Sequence, residues 1–204
     1  MADKFLDKVY GIKTAQDAQE VYDEWSATYD DEVAENGYAT PARCAAVLAE
    51  HLNPPTQPIL DFGCGTGLSG TALAALGFTT IDGIDLSAGM LETAKKRNVY
   101  RNLMHVPADA PIPVAPGDYA AIAAVGVITT GAAPAALLDS LLALLVPGGF
   151  IVFSFNDHAL EDPTYEARVK TNLDAGVARQ VSRTYGDHLP GIDIKSAVYL
   201  LEKI

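Results

Sequence analysis

Ile59-Leu-Asp-Phe-Gly-Cys-Gly-Thr-Gly67 decides the fold. Its apolar opening, preceded by Pro58, reads as a short strand, and Leu68 to Leu76 reads as a helix, so the glycines occupy a strand-to-helix turn. Glycine there admits positive φ and lets a ligand lie against the main chain, while the opening helix presents amides. The same glycines would also serve a tight turn for purely steric reasons. Outward from this turn, short apolar runs alternate with helical segments. Strands are expected at Pro58–Phe62, Thr79–Asp85, Asn102–Val106, Tyr119–Val125 and Phe150–Phe155. Helices are expected at Leu68–Leu76, at Ser87–Lys96 with Ser87 as its cap, and at Pro134–Leu145, stopped by Pro147-Gly-Gly149. Pro107 to Pro116 holds four prolines and must be a loop. The alternation predicts an α/β chain built on a doubly wound, mostly parallel sheet.

The flanks differ. Thr14 to about Ala34 reads as an acidic helix with Tyr22, Trp25 and Tyr29 on one stripe, and Pro41 to Leu52 as a second helix capped by Thr40 and ended by Asn53-Pro-Pro55. After the sheet, Pro163–Ala175 reads as a helix. Val177–Tyr185 and Lys195–Lys203 read as an antiparallel strand pair joined by the turn Gly186-Asp-His-Leu-Pro-Gly191.

Composition narrows the partners. The 204 residues are 49% hydrophobic and 20% charged, which excludes a disordered chain, and no apolar run is long enough for a membrane span. Fourteen basic against 26 acidic residues give a net charge of −12, which opposes nucleic acid and anionic membranes. Cys44 and Cys64 form no CxxC pair and no metal-ligand set with His51, His105, His158 and His188, so no metal or disulfide is expected. The charged N-terminus lacks the apolar core of a secretory signal, and a cytoplasmic location is expected. The oligomeric state is not readable.

The chemistry lies at the strand ends. Asp85 stands eighteen residues after Gly67, at the carboxyl end of the adjacent strand, where an acid accepts hydrogen bonds from both hydroxyls of a ribose; its plainer role is to assist the Ser87 cap. A dinucleotide fingerprint would want a small third residue where Leu68 stands. Asp61 would repel a pyrophosphate but suits a cationic amine or sulfonium.

Through Ile59-Leu-Asp-Phe-Gly-Cys-Gly-Thr-Gly67, Ile84-Asp-Leu-Ser87, Ala108-Asp-Ala110 and Leu145-Val-Pro-Gly-Gly149 the chain resembles the class I S-adenosylmethionine-dependent methyltransferases. Tyr22-Asp-Glu-Trp25 with Tyr29-Asp30 is similar to the lid of small-molecule methyltransferases, and most to the Williams–Beuren-region methyltransferase-like group. The resemblance implies a Rossmann-like sheet of about seven strands in the order 3-2-1-4-5-7-6. It implies one methyltransferase domain over 1–204: a helical lid over 1–56, a cofactor-binding core over 57–155 and a C-terminal helix and strand pair over 156–204. Its cofactor is S-adenosyl-L-methionine, leaving S-adenosyl-L-homocysteine. Asp61, Gly63 and Gly65 would line the methionine moiety, Asp85 the ribose, and Leu86 and Met90 the adenine, with Cys64 and Gly67 also among the cofactor-binding residues. Asp109 would accept from the adenine amino group, with Ala110 beside it also cofactor-binding, and Val125 and Gly126 would border the methyl channel.

Tyr29 and Tyr38 are candidates to close over the cofactor, Trp25, Tyr38 and Asn156 to touch a small-molecule substrate, and His158, after the fifth strand, to act as base or substrate ligand. The aromatic stripe also has the simpler reading of a face packed on the sheet. If Asp23, Glu24, Asp30, Asp31, Glu32 and Glu35 face the pocket mouth, a cationic or neutral acceptor is favoured. Two alternatives stand beside this reading: an NAD(P)-dependent oxidoreductase, and a non-catalytic regulator that binds the same cofactor.

Overall fold

The computed structural model describes residues 21, 25, 28–107 and 110–204. Helices α1 (Tyr29–Glu35) and α2 (Thr40–Ala49) precede β1 (Ile59–Phe62), α3 (Leu68–Ala75), β2 (Ile81–Asp85), α4 (Ala88–Lys95) and β3 (Asn102–His105). Then come β4 (Ala121–Ala124), α5 (Leu137–Ala143), β5 (Phe150–Asn156), α6 (Asp157–Glu161), α7 (Pro163–Asp174), β6 (Ala178–Leu189), a 3-10 turn at Pro190–Ile192 and β7 (Ile194–Lys203). The seven strands form one sheet in the order β3-β2-β1-β4-β5-β7-β6, as the resemblance implied. β1 to β5 pair in parallel, whereas β7 runs antiparallel to both β5 and β6.

The central strands are buried on both faces, which explains why they read as unbroken apolar runs. On one face Leu138, Leu141 and Leu142 of α5 pack with Ile122, Phe153, Phe155 and Tyr199. On the other, Cys44 and Leu48 of α2 and Leu73 of α3 pack with Ile59, Ile81, Val152 and Val198. A third, small cluster joins Trp25 and Val33 to Met90 and Leu189, flanked by Tyr29, Tyr38, Leu68 and Ile194. The stripe Trp25–Tyr29 therefore packs on the rim, against α4 and the end of β6, and not on the sheet; its third member, Tyr22, lies outside the described residues.

Several expectations are corrected. The first helix does not run unbroken to Ala34, because Thr28 is a turn residue and N-cap from which α1 starts afresh. Thr40 is helical and caps nothing; its hydroxyl is drawn away by His188 and Ser196. Asn156 ends β5 and caps the unexpected helix α6, which contains His158. Gly186 to Leu189 continue β6, so His188 belongs to a strand, and the reversal is made by Pro190 to Asp193.

An unanticipated polar knot fastens the outer strands. Asp82, 2% exposed, accepts hydrogen bonds from Arg101 Nε at 3.0 Å, from the amide and side chain of Asn102 at 3.0 Å each, and from Tyr119 Oη at 2.9 Å. Burial pushes its carboxyl up, but the donors Arg101, Tyr119 and Asn102 outweigh that and hold it below the usual range. Asp82→Ala strands Tyr119 and Arg101. It should cost about 3 kcal/mol and lower the thermal midpoint by roughly 6 to 12 °C in a melt followed by circular dichroism.

Candidate functional site

The parallel strands β1, β2 and β4 end on one edge, and the strand order turns back between β1 and β4, the place where open α/β sheets receive ligands. The glycine loop rises there. Gly63 and Cys64 donate their amides to Ile84 O at 2.8 and 3.0 Å, Gly67 donates to Cys64 O at 2.9 Å, and Gly65 donates to Asp85 Oδ2 at 2.7 Å. With four amides committed internally, the loop lacks the bare amide nest that a pyrophosphate needs. Gly65 is nonetheless open: at φ +53° nothing lies within 4 Å of where a Cβ would stand. An acid and an uncovered stretch of backbone thus sit side by side. Asp85 Oδ1 also accepts from Ser87 N at 2.9 Å, so the helix-assisting role expected as its plainer one is real.

Asp61 carries the unusual electrostatics. Wholly buried, it accepts at Oδ2 from Ser69 Oγ at 2.6 Å and from Tyr100 Oη at 2.7 Å, while Oδ1 has no hydrogen-bond partner among the described residues. Tyr100 was not anticipated. Its ring reaches Asp61 only because Gly70 and Gly83 have no side chains, since a Cβ there would lie 2.4 and 3.1 Å from the phenol. A glycine inside a helix and another inside a strand, with no turn to serve, were the available signal. Burial lifts the Asp61 carboxyl to about 6, helped by the charge of Asp85 and opposed by Ser69 and Tyr100.

The N-terminal segment crosses this loop. Asp30 accepts from Thr66 Oγ1 at 2.6 Å and pairs with Arg97, whose Nε holds Thr66 O at 3.0 Å. Of the lid acids, Asp30 thus faces the loop and not the pocket mouth, Asp31 and Glu35 are exposed, and Asp23 and Glu24 lie outside the described residues. The Trp25 and Tyr29 rings meet edge to face at 4.7 Å. Met90, expected beside adenine, is 1% exposed and is sealed in this lid cluster. Tyr38 sits over Gly126 so closely that a Cβ there would lie 2.7 Å from its hydroxyl.

The remaining candidates disperse. The Cys64 thiol points back toward Gly83, and burial pushes it well up, so the residue serves packing. Gly63 is covered by Val127, and Gly67 by Tyr100 and Arg97. Leu86 is half-buried, with its carbonyl bonded to His105 Nε2 at 2.9 Å. Val125 packs into the second core cluster. Ala110 closes a turn onto Pro107 O at 3.0 Å, and Asp109 lies outside the described residues. Asn156 Oδ1 is committed to Thr129 at 2.8 Å and to the α6 cap. His158 lies half-buried on α6, near enough to His188 for their charges to interact. A cleft of about 600 Å³ runs along the flank between α4 and β3, lined by Glu92, Lys95, Asn98 and His105, and touches neither Asp61, Asp85 nor Gly65.

An acid beside open backbone and an orphaned, buried carboxylate oxygen fit a ligand carrying a diol and a cation. The raised Asp61 carboxyl gives a pH signature. The native state holds its proton more tightly than the unfolded chain does, so this contribution is fully present below about pH 4 and is lost as pH rises through about 6. Thermal melts of the ligand-free protein should show that Asp61→Asn, which has no such titration, gains up to about 3 kcal/mol on the wild type between acid and neutral pH. A difference independent of pH would mean that folding leaves the proton affinity of Asp61 unchanged.

Comparison with known proteins agrees with this geometry. Residues 59–149 match the family model described as a methyltransferase domain. Human methyltransferase-like protein 27 is 30% identical over 168 residues, covering 81% of this chain and 68% of that protein. A ubiquinone biosynthesis O-methyltransferase of Psychrobacter arcticus is 29% identical over 123 residues, 55% of this chain and 48% of its own. Among solved structures, a Thermotoga maritima S-adenosylmethionine-dependent methyltransferase, titled a possible histamine N-methyltransferase, superposes with a TM-score of 0.66 at 16% identity. The match covers 92% of this chain and all of that one. With its strand order, its glycine loop between two acids and a relative aligned over most of both chains, this protein belongs to the class I S-adenosylmethionine-dependent methyltransferases.

Proposed function

We propose that the chain methylates a small molecule held in the crevice between the ends of β1 and β4. The observation that carries this reading is the closure of α1 over the glycine loop through Asp30, Thr66 and Arg97, with Tyr38 lying over Gly126. A site roofed in this way suits an acceptor that fits wholly inside, and the net charge of −12 disfavours an RNA acceptor. The oxygen acceptor implied by the name of the ubiquinone O-methyltransferase relative is of the same small-molecule class.

S-adenosylmethionine, when bound, would supply a sulfonium methyl group open to in-line attack by an acceptor lone pair, the carbon–sulfur bond breaking as the neutral thioether of S-adenosylhomocysteine leaves. The protein's part is to position and to exclude water. In this reading Asp85 accepts from the ribose hydroxyls, Gly65 admits the ligand against the backbone, and the unmatched Oδ1 of Asp61 faces its cationic portion. The α1 latch holds the roof while transfer occurs.

Three measurements test the proposal. Calorimetric titration should detect S-adenosylhomocysteine and not NADH; Asp85→Ala should weaken that binding by about 30-fold, or roughly 2 kcal/mol. Asp30→Ala, which unfastens the roof, should speed release of the same ligand in stopped-flow displacement while leaving the melting curve nearly unchanged. After incubation with methyl-labelled S-adenosylmethionine and cell extract, label should accumulate in the low-mass fraction. Label confined to RNA or protein would overturn the small-molecule reading.

A further inference from the structure

His188 was read as a turn residue, yet it ends β6 as a buried ring, 7% exposed, wedged against the loop that carries Tyr38. The two rings meet edge to face at 5.1 Å, and the far end of Tyr38 is the hydroxyl over Gly126. Outward from the β1–β4 crevice the order is therefore Gly126, Tyr38, His188.

The protons around His188 can be counted. Arg43 Nη1 donates to Ser196 Oγ at 2.9 Å, Ser196 Oγ lies 2.9 Å from Thr40 Oγ1, and Thr40 Oγ1 lies 2.8 Å from His188 Nδ1. Thr40 and Ser196 are wholly buried, and each hydroxyl has one proton to place. Arginine only donates, so the Ser196 proton has Thr40 Oγ1 as its acceptor among the described residues, and the Thr40 proton then has His188 Nδ1. Nδ1 is thereby an acceptor, and the neutral ring carries its proton on Nε2. Burial pulls the imidazole down to about 4; Asp157 opposes this while Arg43 and His158 reinforce it, so the ring stays neutral through physiological pH. Nε2 has no hydrogen-bond partner among the described residues. A proton-bearing Nε2 cannot serve as a base, but it can recognise a lone pair.

We propose that His188, its tautomer fixed by the chain Arg43–Ser196–Thr40, is a specificity-determining donor of the acceptor pocket, whose Nε2–H recognises a neutral, hydrogen-bond-accepting oxygen on the substrate. Because Tyr38 stands between it and the crevice, that oxygen is a substituent remote from the atom that takes the methyl group. The acceptor class becomes a small oxygenated molecule such as a ketone, ester or quinone. This assignment rests on the small-molecule reading above.

The test is nitrogen NMR on the full chain with labelled histidine and S-adenosylhomocysteine present. His188 should show a pyridine-type Nδ1 and a pyrrole-type Nε2, both unchanged between about pH 5.5 and 8, and Thr40→Val should admit the second tautomer. A pyrrole-type Nδ1 in the wild type overturns the proposal whether or not any variant folds. Acetophenone, as a carbonyl probe, should shift the Nε2–H resonance saturably. Its affinity should fall about tenfold in His188→Phe and recover in His188→Gln, whose amide also donates. No saturable shift, or equal binding of the oxygen-free isostere α-methylstyrene, overturns it too. Label found only in RNA or protein in the transfer assay would remove the small-molecule reading while leaving the tautomer result intact, so the two failures are distinguishable.

Discussion

Everything at the carboxyl edge of the sheet depends on burying the Asp61 carboxylate. A charge at the end of a central strand loses its hydration, and two hydroxyl donors, Ser69 and Tyr100, offset part of that loss. Tyr100 arrives from the far side of α4 and can reach Asp61 only through the gap left by Gly70 and Gly83. Its hydroxyl also receives the Gly70 amide at 3.2 Å, which ties the first turn of α3 to the same point. Once α3 is fixed, the loop before it has little freedom, and its amides close onto Ile84 and Asp85. One buried oxygen, Asp61 Oδ1, is left without a hydrogen-bond partner among the described residues.

The seam between the two flanks of the chain is built differently. It closes where Ala39 N donates to His188 O at 2.9 Å and Gly191 N to Asn36 O at 3.0 Å. Arg43 binds the carbonyls of Thr184 and Asp187 across the same seam. Trp25, Val33, Met90 and Leu189 then supply a small apolar patch that seats the lid. The glycine loop and this seam thus rest on separate supports.

What could be read from the sequence follows this division. The strand-turn-helix around Gly63 to Gly67, the acid at Asp85 and the Ser87 cap are local patterns, and each stands where spacing put it. The polar seam was not legible, because its partners lie far apart along the chain. Gly186 looked like a turn residue, but it is glycine because the Arg43 guanidinium lies across it, 3.2 Å from where a Cβ would be. Thr40 looked like a cap because a threonine before a proline usually is one; nothing nearby announced that its hydroxyl would be claimed by a strand 148 residues later. Asn156 and His158 were read from their place just after the fifth strand, and the short helix they open was missed because its five residues carry no apolar periodicity.

The distances along the chain also order the events of folding. Asp61 finds Tyr100 within 39 residues, so the cofactor loop has all its internal partners soon after β3 has been made. Thr40 must wait through 148 residues for His188, a far larger loop to close. A nascent chain therefore completes the glycine loop that serves its methyl donor well before its two flanks can close on each other.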